Sequence, residues 1–349
     1  MWQDDKFYTD KEGKHTTASI LSTEAGFNIV PTPANNIVVE VEEVSFRFAR
    51  FYATNMAKDS YNPVERDLNI MGAYCVLAKC IPVEVGVDTK EDSIKKEELL
   101  GGIVCIPHTL YIETLGSVKS VLSTYLLVHG EHRHEGLAKS IIMATVKEGY
   151  ARGIQLGYHW LKESKSKAAI RSLSWYRPLL PAKAAKQDYQ LIKDADYTLP
   201  TIEPEYTINY TKIEDFETFA STASIRLQPT TEEFLSLSNI LIFYTVKHND
   251  IIVAILSYRP FTIIKPKITC YSVQLCYFDC LKGHAIAALT LLFQILQQKG
   301  FVAIHGVFMS QLSYTVGILK ISLTPALNID FYNLAHPGIL NSGCALLYI

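Results

Sequence analysis

The chain lacks several things that would fix its class at once. It has no excess of one charge: 33 Lys and Arg stand against 35 Asp and Glu over 349 residues, for a net charge of −2. Nucleic acid as the main partner calls for a basic excess, and there is none. It lacks a run long enough to span a bilayer. The most apolar helical stretch, Ala285 to Leu296, falls well short of the roughly 20 residues required and reads as a core helix. The start, Met-Trp-Gln-Asp-Asp-Lys, has no apolar signal region, and Trp at position 2 is not a myristoyl acceptor. Cysteine is scarce and odd in number: the seven residues lie mostly in apolar runs, which suits reduced thiols in a cytoplasmic protein. Cys276-x-x-x-Cys280 has no second pair at zinc spacing.

What is present is a chain 48% hydrophobic and 19% charged, ample for a large core and long enough for about two domains. Its most informative stretch is 120–142. An apolar run from Val121 to Val128 reads as a buried strand, and His129-Gly130 ends it. A polar loop carries Arg133 and Gly136, and an amphipathic helix starts near Leu137 with a core face at 137, 138, 141, 142 and 145. Unpaired N–H groups and the dipole at such a helix start favour an anion, so strand, basic Gly loop and helix form a phosphate seat. The alternative for Arg133 is a solvated loop charge, and for Tyr125 a plain core aromatic. His129-x-x-His132-x-His134 also permits a metal cluster.

The rest of the chain contains an echo. Val41, Val44, Phe48 and Phe51 within 37–56 make a helical stripe, as do Ile213, Phe216, Phe219 and Ala220. Leu99–Pro107 and Ile251–Pro260 are apolar strands closed by proline. Ile268–Cys276 follows as the strand 121–128 does; then come a helix at His284–Gln298 and a new strand after Lys299-Gly300, as after Arg152-Gly153. The shared order argues for two copies of one α/β unit, joined at Pro200-x-x-x-Pro204. Only the first copy has the Arg/Gly loop. The terminal stretch Asn341–Ile349 is apolar to its last residue, so its α-carboxylate is expected inside the fold, either as a plain edge strand or as a functional group.

Arg133-His134-Glu135-Gly136-Leu137-Ala138 matches the R-x-x-G-x-G/A pyrophosphate loop of GNAT acyltransferases. The wider chain resembles the glycylpeptide N-myristoyltransferases, a family of two tandem GNAT-like halves. That family's E-I-N-F-L-C-x-H-K strand is similar to Leu122–Gly130, keeping Leu126 and His129 with Tyr125 for Phe. Its G-F-I-S-A-I-P falls on Gly101–Pro107, and its R-Y-W-H-R-S-L-N-P on Leu173–Pro181 with Trp175, Arg177, Leu179 and Pro181 retained. Its Y-x-L-P linker is Tyr197–Pro200, its L-T-P…E-E resembles Leu227–Pro229 with Glu232-Glu233, and its F-L-S-F-Y and A-Y-S resemble Ile255–Tyr258 and Cys270–Ser272. Its K-G-F is Lys299–Phe301, and its L-Y-N-W resembles Phe331–Leu334. The family's K-F-G-x-G-D-G motif is absent, since Leu319–Leu327 holds no glycine.

The resemblance implies an α/β (α+β) fold of two tandem GNAT-like units with mixed sheets flanked by helices. Residues 1–198 form an acyl-CoA-binding half and 199–349 a half that binds peptide and supplies the terminal carboxylate. It implies an enzyme of protein lipidation, a cytoplasmic monomer, that moves a myristoyl group from myristoyl-CoA to the N-terminal glycine amine of a protein, without metal. By resemblance the α-carboxylate of Ile349 is the base, and the backbone N–H groups of Tyr125 and Leu126 form the oxyanion hole. Trp2, Tyr125, Leu126, Leu127, Val128, Arg133, His134, Glu135, Gly136, Leu137 and Ala138 hold the cofactor. Thr124, His159, Trp160 and Tyr271 line the peptide site. Thr124 and Trp160 depart from the Asn and Thr that hold the amine in the family. An inactive acyl-CoA or lipopeptide binder, or an acyltransferase with another acceptor, are the rival readings.

Overall fold

In the computed structural model, residues 19–20, 37–43, 45–56, 64, 67–81, 97–161, 170–265, 268–309, 315–324, 327–332, 334–335 and 344–347 are described. Trp2 and Ile349 lie outside the described residues, as does the charged stretch 82–96.

The described strands, in chain order, are β1 (Ser19–Ile20), β2 (Ile37–Glu42), β3 (Tyr74–Cys80), β4 (Glu98–Ile112), β5 (Gly116–Val128), β6 (Leu156–Leu161), β7 (Ile170–Pro178), β8 (Tyr206–Tyr210), β9 (Ile225–Leu227), β10 (Ile242–His248), β11 (Ile251–Lys265), β12 (Ile268–Cys280), β13 (Ala303–Met309), β14 (Ser322–Leu323), β15 (Leu327–Tyr332), β16 (Leu334–Ala335) and β17 (Cys344–Ala345). Fifteen of them form one mixed sheet whose main path is β17-β9-β4-β5-β6-β15-β7-β13-β12-β11-β10-β8, with β2 and β3 branching from β4.

The expected repeat is visible in the strand register. Pro107 of β4 pairs with Val121 of β5, and Val121 with Gly157 of β6. Pro260 of β11 pairs with Val273 of β12, and Val273 with Ile304 of β13. Each triplet is an antiparallel pair followed by a short parallel pair, bridged by the helices Leu137–Ala151 and Ala285–Gln298. Both prolines sit inside strands rather than closing them, which corrects the sequence reading. Each lies where its strand has a partner on one flank only. β3 stops at Cys105 and β9 begins at Leu110, while β10 stops at Tyr258. A missing N–H is harmless on such a flank.

The stripe over 37–56 also resolves differently. Residues Ile37–Glu42 are a strand paired to β3, and the helix is confined to Phe46–Met56. Val39 and Val41 alternate with Glu40 and Glu42 in sequence, a short alternation that helical spacing across the whole window obscures, although Val38 and Val41 are themselves exposed. The second helical stripe is short, Ile213–Thr218, with Phe216 and Phe219 buried.

One core cluster crosses the chain, joining Phe48, Leu77 and Leu122 to Phe216, Phe243, Tyr277, Leu346 and Leu347. A second gathers Leu289, Leu292, Phe293 and Leu296 of the Ala285–Gln298 helix against Trp175, Tyr258 and Ile304. Each such side chain contributes roughly 1.5–3 kcal/mol on full burial. The packing is tight at Gly102, where a Cβ would lie 2.7 Å from both Leu77 Cδ2 and Phe48 Cε2. A Gly102→Ala change therefore forces Leu77 and Phe48 to shift.

Candidate active site

The site is built on a break in β5. Val104 pairs with Thr124 and Gly102 with Leu127, so Ile103 alone faces both Tyr125 and Leu126. This is a β-bulge, a device that re-aims backbone and side chains at sites. Tyr125 accordingly has φ of 57°, in the left-handed region. A non-glycine residue there costs on the order of 1–3 kcal/mol and persists only when its surroundings hold it. Leu126 is 42% exposed although its neighbour Leu127 is buried. On the other flank, β5 pairs with β6 only as far as Leu122 with Tyr158. Past that point the two parallel strands are no longer paired.

The loop after β5 leads into the Leu137–Ala151 helix through Gly136, whose φ of 81° fits its lack of a Cβ. No side chain caps this helix, and its first turn carries no acidic residue. Arg133, His134, Glu135 and Gly136 are exposed, Leu137 is buried and Ala138 half-buried. A Cβ on Gly136 would meet nothing within 4 Å. Open N–H groups, a dipole and Arg133 share one mouth, and they can receive an anion. Beneath the helix lies an apolar cavity lined by Ile103, Val121, Ile142, Val146, Ile154 and Leu156. Ile103 is the residue that faces the bulge.

Tyr125 is held by a buried network. Its hydroxyl donates to Asp67 Oδ2 at 2.5 Å. Arg259 Nη1 lies 2.9 and 3.1 Å from the two Asp67 oxygens, while its Nε and Nη2 donate to Gln274 Oε1 at 3.1 and 3.0 Å. Asp67 is 0% and Arg259 3% exposed. Burial, followed by the Asp67 charge, drives the Tyr125 hydroxyl well above the ordinary tyrosine value, so it acts as a donor.

A second network grips the chain end. Leu346 and Leu347 are buried, and β17 runs parallel to β9. The Trp160 indole N–H donates to the Leu347 carbonyl at 3.1 Å, and the Tyr158 hydroxyl lies 3.5 Å from the same oxygen. His108 Nδ1 faces the Ile106 carbonyl at 3.0 Å, so it carries the proton, and Nε2 accepts from Tyr158 at 3.0 Å. Burial lowers His108 to about 4, keeping it neutral. Burial lowers His159 to about 4 as well.

Of the residues singled out from sequence, Thr124, Tyr125, Leu126, Leu127 and Val128 lie in sequence on the bulged strand, and the loop 133–138 follows directly. Trp160 and His159 are on β6, just past the end of its pairing with β5. Tyr271 is elsewhere: it lies on β12, five strands from β5 along the sheet, and is 59% exposed. Sequence reading missed Asp67, Arg259, Gln274, His108 and Tyr158. A charge inside the apolar run Ile251–Pro260 was the available signal for Arg259, since buried charges are rare unless paired. Among the described residues no group of three His, Cys, Asp or Glu side chains forms a metal cage, the 129–134 histidines included. No helix of the described residues is long and apolar enough to cross a membrane.

No protein-family model matches the chain, and no curated protein matches it in sequence. Solved structures do match it in shape. Saccharomyces cerevisiae N-myristoyltransferase with bound myristoyl-CoA aligns at a TM-score of 0.69 and 15% identity, over 96% of this chain and 94% of that one. Two further structures of the yeast enzyme, one with inhibitors also bound, give TM-scores of 0.66 at 16% and 15% identity, covering 94% and 95% of this chain and 87% and 89% of theirs. The chain thus has the N-myristoyltransferase fold, an α/β architecture of two GNAT-like units in tandem.

Proposed function

We propose that this protein is an acyltransferase of N-myristoyltransferase type, moving a long acyl group from acyl-CoA to the N-terminal glycine amine of a protein. The observation that carries the reading is the bulge at Tyr125–Leu126, followed directly in the chain by an exposed loop and an uncapped helix N-terminus. In this reading Arg133 to Ala138 hold the CoA phosphates. The thioester carbonyl meets the N–H groups of Tyr125 and Leu126, which stabilise the oxyanion as the amine attacks. The thiolate of CoA leaves, and a carboxylate takes the amine proton. We assign that base to the α-carboxylate of Ile349, two residues beyond the carbonyl that Trp160 holds. Residues 1–198 would supply the acyl-CoA site and 199–349 the peptide site.

One observation favours a second reading. Trp160 stands where the resembled family has a threonine that holds the amine, and its indole N–H is engaged by Leu347. That suits a protein that binds acyl-CoA or a lipidated peptide without transfer.

The test is incubation with myristoyl-CoA and a glycine-initiated peptide, followed by mass spectrometry for the acylated product. A variant with one residue appended after Ile349 is run beside it. Transfer by the natural chain alone fits the proposed mechanism, and transfer by both removes the terminal carboxylate as base. Acyl-CoA binding without turnover, across acyl lengths and peptides, establishes the second reading.

A further inference from the structure

We infer that Asp67 and Arg259 are positioning residues for the oxyanion bulge, acting through the Tyr125 hydroxyl. The inference rests on the transferase reading for its catalytic meaning but not for its geometry. A left-handed tyrosine in a strand is not a resting conformation, so something must hold it. The ladder does not, since the register gives Tyr125 and Leu126 no individual partners on β4. The Asp67 carboxylate and the Arg259 guanidinium both reach its hydroxyl, Tyr52 makes an edge-on ring contact at 5.3 Å, and the ring packs against the core. Asp67 is fully buried and faces the Arg259 guanidinium, and Arg259 is turned toward it by Gln274 on the adjacent strand. Arg259 and Gln274 are a cross-strand pair in the register of β11 and β12. The set therefore runs from the bulge in the first copy of the repeat to a rigid strand pair in the second.

The comparison between copies supports a specific purpose. Tyr277 stands four residues after Val273, as Tyr125 does after Val121. Tyr277 pairs with Ser257 in the ladder, and it has no positive φ. Its hydroxyl reaches Asp279 at 3.3 Å on its own strand. The second copy is bulged here too, since Cys276 has no individual partner on β11, yet Tyr277 keeps a negative φ, so the Asp67–Arg259 pair marks the copy in which the bulged tyrosine is left-handed. Both oxyanion donors, the N–H groups of Tyr125 and Leu126, depend on that conformation for their direction.

The variant that isolates the idea is Tyr125→Phe, which keeps the ring and removes the hydroxyl's links to Asp67 and Arg259. With myristoyl-CoA and a glycine-initiated peptide, the expected result is a tenfold or greater fall in kcat with KM for myristoyl-CoA within twofold of the natural protein. Amide hydrogen exchange of the 121–129 segment accelerates at the same time. Arg259→Lys, which retains a cation beside Asp67, is expected to recover most of the kcat relative to Arg259→Gln. Unchanged kcat with unchanged exchange overturns the inference. So does a loss confined to KM, which would make the hydroxyl a binding group. If the natural protein transfers no acyl group to any peptide, the transferase reading fails by itself, and exchange over 121–129 in Tyr125→Phe still decides whether the hydroxyl holds the bulge.

Discussion

The two copies of the repeat share a strand order and a bulge in the same region, and differ at two places that matter here. In the first, Tyr125 is left-handed and Leu126 is exposed; in the second, Tyr277 is fully buried against Phe216. In the first, the helix begins behind an open, exposed loop at Gly136. In the second, it begins at His284, whose Nδ1 lies 2.8 Å from the Tyr206 hydroxyl, while His248 stacks on the Tyr206 ring at 4.3 Å. Aromatic side chains crowd the place where the first copy leaves a mouth. One unit, used twice, leaves the helix start exposed in one position and packs aromatic side chains against it in the other, so shared topology alone does not make a site.

Acid is expected to act most strongly on this pair. Burial holds His108 and His159 in the first copy, and His305 in the second, at about 4 against an ordinary 6.5. Between those values the unfolded chain binds more protons than the folded one, so stability falls as pH drops from 6.5 toward 4. Asp279, raised by burial to about 6, works the other way: its contribution is present below 3.8 and fades as pH rises through 6. Three groups outweigh one, and the net loss on acidification is on the order of several kcal/mol. Urea unfolding at pH 7, 6, 5 and 4 checks it; a flat or rising midpoint would contradict the neutral buried histidines.

Leu126→Pro removes one proposed oxyanion donor where the ladder gives its residue no individual partner. Turnover should fall about 10²–10³-fold with acyl-CoA affinity retained. Turnover within a few fold of the natural protein would show that the open bulge is not what distinguishes the first copy chemically.

Arg133→Ala should weaken acyl-CoA binding about tenfold, with a shallower salt dependence, as expected for a lost phosphate contact. Lys282→Ala, in the corresponding loop of the second copy, should leave affinity unchanged. Calorimetric titration of both variants tests the contrast directly, and equal losses would erase it.

The smallest expected effect is from Trp160→Phe. It removes one buried hydrogen bond to Leu347, worth about 1 kcal/mol, so the unfolding midpoint drops slightly. Under the terminal-carboxylate mechanism, transfer also slows several-fold at saturating substrate. A stable, fully active Trp160→Phe would separate the Leu347 contact from catalysis.

Much of the first copy's site was legible in the sequence because it is contiguous: strand, basic Gly loop and helix lie within 121–151, where periodicity and turn residues speak locally. The repeat was legible for the same reason. The strand at 37–42 was not, because its alternation is short and runs straight into a helix whose apolar residues continue a plausible helical count. The Tyr125–Asp67–Arg259 set was out of reach, since 192 residues separate Asp67 from Arg259 and no local pattern links them. Trp160 was read as a substrate-side residue from its alignment alone. Only the fold brings Leu347 against it.

β15 and β17 carry a consequence for how the protein comes into being. Strands formed by residues 327–332 and 344–345 pair with β6, β7 and β9 and complete the sheet around the early half of the chain. A nascent chain therefore cannot finish its first unit until these late residues have been synthesised. Such long-range pairing slows folding and prolongs the exposure of unpaired strand edges to other chains. Newly made protein is expected to need chaperone protection longest around β6 and β7, and to fold in earnest only once residues 327–345 have been made.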